Sequence, residues 1–123
     1  MNWTAAAAVT LALGVTLGAF GAHGLRARLD EYSLGVYETA VLYHFVHALG
    51  LLAVPLLVRA GLVDQRAARW ACWLLLGGIV LFSGSLYVLA VTGVTMLGAV
   101  TPIGGLGFIA GWIALAWAAL RAR

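Results

Sequence analysis

The stretch Tyr37–Val58, YETAVLYHFVHALGLLAVPLLV, decides the class of this protein. It holds one charged side chain, Glu38, near its start, and is apolar for nearly all the rest. A helix of about 20 residues, rising 1.5 Å per residue, crosses a hydrocarbon layer of about 30 Å. Three more runs of the same kind flank it: Trp3–Ala22, Trp70–Val91 and Pro102–Leu120. Together they occupy most of the chain and leave only short connections. The expected fold is an all-α membrane architecture, an antiparallel bundle of four transmembrane helices forming a single domain over residues 1–123.

Composition agrees. The 123 residues are 64% hydrophobic and 9% charged, whereas a soluble domain carries about 25% charged residues. The net charge of +3 comes from arginine alone. With no basic stripe or nucleic-acid motif beside it, that charge reads as a topology signal, and nucleic acid is not an expected partner. Cys72, the single cysteine, lies in the third run and excludes an internal disulfide. The first run lacks a basic leading segment and exceeds the usual 7–15 apolar residues of a signal peptide, so it reads as an uncleaved helix.

The arginines orient the bundle. Arg59, Arg66, Arg69, Arg121 and Arg123 fall on one side, Arg26 and Arg28 on the other, where Asp30 and Glu31 offset them. The positive-inside rule then predicts that both termini lie in the cytoplasm. Trp3, Trp70, Trp73 and Trp117 fall at that same side, as an interfacial aromatic belt would. In the first connection, Gly24–Val36, the apolar spacing of Leu25, Leu29 and Tyr32 predicts a short amphipathic interfacial helix on the outer side.

In lipid, apolar area gives no preference for helix over lipid, so small residues that let backbones approach supply much of the packing. Gly14 and Gly18 on the first span, Gly77, Gly78 and Gly84 on the third, and Gly107 and Gly111 on the fourth are the expected packing positions. They exceed what one bundle requires, which predicts a homo-oligomer or an accessory subunit of a membrane complex, with membrane lipids as the other partners. Pro55 predicts a kink in the second span.

Polar side chains inside a membrane are costly and mark candidate sites. Here they gather in the outer half. His47 falls about 15 Å below the outer interface, counted along the second span, with Tyr43 and His44 one turn above it and Glu38 nearer the interface. Ser83, Ser85 and Tyr87 lie at matching depth on the third span, His23 ends the first span, and Thr101 opens the fourth. These nine residues are the candidate ligand pocket. The plain alternative is that each only ties helices together. If the set is one network, His47 should reach Ser83, Ser85, Tyr87 or His23 across a helix interface.

Other chemistries find less support. His44 and His47 share a helical face and His23 is the candidate third ligand, but a metal centre also requires proper geometry and a second shell. The paired histidines on two helices that would hold haem are missing. There is no nucleophile elbow, no HExxH and no carboxylate pair within a span. No catalytic residue, metal or cofactor is therefore assigned, and an enzyme is not the favoured reading. A small oligomeric transporter or channel is the alternative, although the inner half has no polar path.

The segments Gly18-Ala19-Phe20-Gly21-Ala22-His23-Gly24-Leu25, Glu38-Thr39-Ala40-Val41, His47-Ala48-Leu49, Leu81-Phe82-Ser83-Gly84-Ser85-Leu86-Tyr87 and Thr101-Pro102-Ile103-Gly104-Gly105 together resemble the YgdD-like family. These are small four-helix membrane proteins of bacteria and mitochondria, of unknown function. The resemblance covers nearly the whole chain. It implies the bacterial inner membrane and carries no reaction with it. His44 stands where many relatives are expected to have glutamine, a departure that argues against a two-histidine metal site. The function expected is that of a non-enzymatic membrane protein whose outer-half pocket takes a small molecule, lipid or quinone-like ligand.

Overall fold

A computed structural model describes residues 1–122. Arg123, counted above among the orienting arginines, lies outside the described residues. Helix α1 covers Trp3–Phe20 and runs on through a π turn, Gly21–Leu25; α2 covers Glu31–Arg59. The third span is α3, Gln65–Gly78, a second π turn, Ile79–Ser83, and α4, Gly84–Thr92. A 3₁₀ turn, Thr95–Ala99, leads into α5, Thr101–Arg121. The four continuous helical stretches, Trp3–Leu25, Glu31–Arg59, Gln65–Thr92 and Thr95–Arg121, are each long and apolar enough to cross a membrane.

The helix starts follow from side chains that satisfy the free N–H groups of a first turn. Asn2 accepts from the Ala5 N–H, Asp30 from Ser33 and Asp64 from Ala67, at 3.0, 2.7 and 2.9 Å. The Ser33 backbone N–H, with its hydroxyl, holds the Asp30 carboxyl below its ordinary value. A depressed carboxylate supports the fold at neutral pH, and that support disappears as pH falls through the lowered pKa. Pro102 sits in the first turn of α5, where its missing N–H is no loss. Gly93 ends α4 in the left-handed conformation, φ 72°.

The first connection differs from the expected interfacial helix. Asp30 starts α2 at once, so Glu31–Val36 becomes the opening of that helix. Leu25 and Leu29 turn inward instead and pack with Tyr37 and Ala90 at the end away from the termini. The amphipathic spacing was real, but its apolar side serves the bundle. Tyr32 alone stays exposed.

Neighbouring spans pack in chain order: α1 on α2, α2 on the third span, and the third span on α5. The core at the terminal end is apolar, built on Leu51, Val54, Cys72 and Leu75. Apolar side chains such as Leu13, Leu49, Val80 and Ile113 point outward to the membrane.

Glycine sets the closest approaches. A Cβ on Gly104 would overlap the Phe82 backbone, and one on Gly78 would lie 2.7 Å from Phe108 Cε1 and 3.1 Å from the Gly104 carbonyl oxygen. Gly107 faces Gly78, and Gly111 faces Leu75. Gly14 and Gly18 accommodate Phe45 and Val41. Two expected packing positions do not pack: Gly77 and Gly84 have open space where a Cβ would be. Gly77 precedes the π turn and Gly84 follows it, so the two do not fall on one line of the third span.

Gly104→Ala should therefore destabilise the protein by about 1–3 kcal/mol through overpacking against backbone that cannot yield. Gly77→Ala should cause no loss, because alanine favours helix and meets nothing there. Reversible unfolding of both variants in mixed micelles checks the contrast.

Candidate functional site

The π turn in the third span decides which polar groups face inward. At 3.6 residues per turn, the inward line from Leu75 would continue near 79, 82 and 86. A π turn adds one residue and shifts the later positions to about 83, 87 and 90. Ser83 and Ala90 are accordingly buried and Tyr87 is half-buried against α2. Phe82 is turned toward α5.

His44 is the centre of the resulting network. Its Nε2 lies 2.7 Å from the Thr10 carbonyl oxygen on α1, and its Nδ1 lies 2.8 Å from the Tyr87 hydroxyl on α4. A carbonyl only accepts, so Nε2 carries the proton and Nδ1 accepts from the Tyr87 O–H. One buried imidazole on α2 thus joins three spans. Around it, Ser83 donates to the Ala40 carbonyl at 2.8 Å, Ser85 and Thr101 pair at 2.6 Å, and the Tyr37 hydroxyl donates to the Leu17 carbonyl. Among the described residues, every fully buried side-chain nitrogen and oxygen is paired.

His47 does not join this network, contrary to expectation. Its Nδ1 donates to the Tyr43 carbonyl one turn back, at 2.8 Å. The ring stacks on Phe108 of α5, centroids 3.5 Å apart and planes 12° apart, with Tyr43 and Trp112 on its flanks at 5.8 and 5.7 Å. The physical reason is direction: His44 and His47 differ by three residues, so they diverge by about 60° around the helix. His44 points between α1 and α4, and His47 toward α5. With Nδ1 donating, Nε2 of the neutral ring is a bare acceptor. It has no protein donor, and with the residue 5% exposed only a narrow edge of the ring is open.

Two other expected pocket residues stand apart. His23 is exposed at the end of the first span. Glu38 is exposed and borders, with Arg26, a crevice of about 340 Å³ between the first two spans. The nine residues thus divide into three separate sets of interior hydrogen bonds (His44 with Tyr87, Ser83 with the Ala40 carbonyl, Ser85 with Thr101), the stacked rings of Tyr43 and buried His47, and the separate His23 and Glu38. Among the described residues no three His, Cys, Asp or Glu side chains are grouped to hold a metal. The sequence reading missed the Thr10 carbonyl, Phe108 and Trp112. The line Ala7, Thr10, Gly14 at helical spacing was the available sign that α1 turns this face inward.

Fold and site together define a small integral membrane protein with four apolar helices and a hydrogen-bonded interior on one side of its midplane. Residues 17–105 match the family described as a protein of unknown function (DUF423), and the chain belongs to that family. It is 48% identical over 114 residues to the UPF0382 membrane protein YwdK of Bacillus subtilis, covering 93% of this chain and 92% of the relative. A UPF0382 membrane protein of Staphylococcus epidermidis is 46% identical over 93% of this chain and 91% of its own. No solved structure matches.

The His44–Tyr87 bond should show as energetic coupling. In a cycle of His44→Phe, Tyr87→Phe and the double variant, unfolding in mixed micelles should give a coupling of about 0.6–1.7 kcal/mol, the range for bonds between membrane helices. Strictly additive losses would mean that the two side chains are merely neighbours.

Proposed function

We propose that this is a non-enzymatic binding protein of the bacterial inner membrane that takes a small amphipathic ligand, lipid or quinone-like, on His47. The observation that carries the reading is the unpartnered Nε2 near the middle of a spanning helix, set beside the aromatic faces of Phe108, Tyr43 and Trp112. An acceptor at that depth has no water to satisfy it, so a membrane-soluble hydroxyl is its natural complement. A flat ring could lie along the same aromatic edge. Because Nδ1 already donates to a carbonyl, the preferred ligand is a donor, such as the hydroxyl-bearing reduced form of a quinone.

Native mass spectrometry of protein extracted in mild detergent tests this. The wild type should carry a small-molecule adduct that His47→Leu lacks and that His23→Leu retains. An adduct equally present in His47→Leu would end the reading.

Both termini are assigned to the cytoplasm. Arg59, Arg66, Arg69 and Arg121 gather at the terminal end, against Arg26 and Arg28 with nearby acids at the other, and bacterial relatives named membrane proteins support a bacterial membrane. With Cys72 replaced by Ser, a cysteine placed at Arg66 should resist an impermeant maleimide in whole cells, and one at Arg28 should react. The open space beside Gly77, and separately beside Gly84, supports self-association or docking as an accessory subunit, since a small residue leaves room for a neighbouring helix.

A further inference from the structure

The terminal end of the bundle holds a cavity of about 580 Å³ that none of the nine candidate pocket residues lines. Three helix ends meet around it: the start of α1, the last two turns of α2 and the first turns of α3. Its volume is in the range of small-molecule sites, about 300–1,000 Å³.

The lining changes character with depth. Val54 and Cys72, both buried, form the floor with Pro55 and Val58 beside them. Trp3 and Trp73 stand on the walls edge to face, centroids 4.9 Å apart. The rim is polar and basic: Arg59 from the last turn of α2, Arg69 and Gln65 from α3, Asn2 and Thr4 from α1. On α3, Gln65, Arg69 and Trp73 follow one another at four-residue spacing and so share a face. On α2, Pro55 and Arg59 do the same.

The charge is one-sided. Among the described residues no carboxylate lines the cavity. Of the four acids in the chain, Asp30, Glu31 and Glu38 lie at or near the opposite end. The fourth, Asp64, caps α3 and borders a separate cleft with Arg66 and Arg121. The first turn of α1 brings one positive helix end to the cavity, α2 brings one negative end, and the first turn of α3 is already met by the Asp64 carboxylate. The rim's positive charge is therefore that of the two guanidinium groups.

A basic rim over an apolar floor, with tryptophan between, has the layering of a glycerophospholipid: phosphate outside, glycerol esters at the interface, acyl chains within. Guanidinium groups match phosphate oxygens in pairs. A free inorganic anion would use only the rim and leave the apolar floor without a role. We infer that this cavity is a binding site for an anionic glycerophospholipid, its phosphate held by Arg59 and Arg69 and its acyl chains starting along Val54, Pro55 and Val58.

The test uses the full chain, delipidated in neutral detergent, with phosphatidylglycerol, phosphatidylcholine and inorganic phosphate as separate probes. Binding is read by native mass spectrometry and by the shift of thermal unfolding. Phosphatidylglycerol should bind at least about tenfold more tightly than phosphatidylcholine, and Arg59→Gln/Arg69→Gln should erase that preference. Arg59→Lys/Arg69→Lys, which keeps the charge and loses the paired geometry, should retain part of it. Arg66→Gln/Arg121→Gln removes the same charge from the same end outside the cavity and should leave the preference intact. Equal binding of the two lipids, or equal loss in both glutamine pairs, would overturn the site. A shift by inorganic phosphate as large as that by phosphatidylglycerol would assign the rim to a soluble anion and overturn the lipid.

Discussion

Inside hydrocarbon there is no water to satisfy a polar atom, so a side chain that leaves the apolar menu must find its partner in the protein. His44 meets that constraint with both ring nitrogens, one toward the Thr10 carbonyl and one toward the Tyr87 hydroxyl. The tautomer follows from those two bonds, which also tie α2 to α1 and α4. Gly14 belongs to the same arrangement: a Cβ there would lie 3.3 Å from the His44 ring, so the small residue on α1 is what lets the imidazole reach its carbonyl.

The two ends of the bundle are held by different physics. Away from the termini, tyrosine, serine, threonine and histidine bind directionally, and each bond sets a rotation and a height. Toward the termini, Leu51, Val54, Cys72 and Leu75 pack without direction, and helix contact there depends on shape. Gly78, Gly104 and Gly111 lie between these regimes and bring the third span and α5 together closely enough for Phe108 to meet His47.

The spans were legible because length and apolarity are properties of the segment itself, insensitive to what packs against it. The gathering of polar residues in one half was legible for the same reason, since depth follows from counting along a helix. Which of them touch was not. His44 and His47 lie one turn apart in the sequence, yet only rotation about α2 separates a bridging imidazole from one that stacks on Phe108. The glycines divide likewise: Gly78 and Gly77 are adjacent, one against Phe108 and the other open to the membrane. The connection at Gly24–Val36 was misjudged because periodicity reports an apolar face without saying what covers it, while the stop at Asp30 was a local capping signal competing with that period.

The π turn at Ile79–Ser83 makes chain length itself a carrier of structure. An ordinary helix has one phase from end to end, so the residues it presents at the bottom dictate those it presents at the top. The extra residue here works as a clutch: it uncouples the apolar lower stripe from the hydroxyl-bearing upper stripe and re-engages them about 100° apart. One span can therefore mate with a glycine-lined partner below and a histidine above, two surfaces that no single helical phase would bring into register.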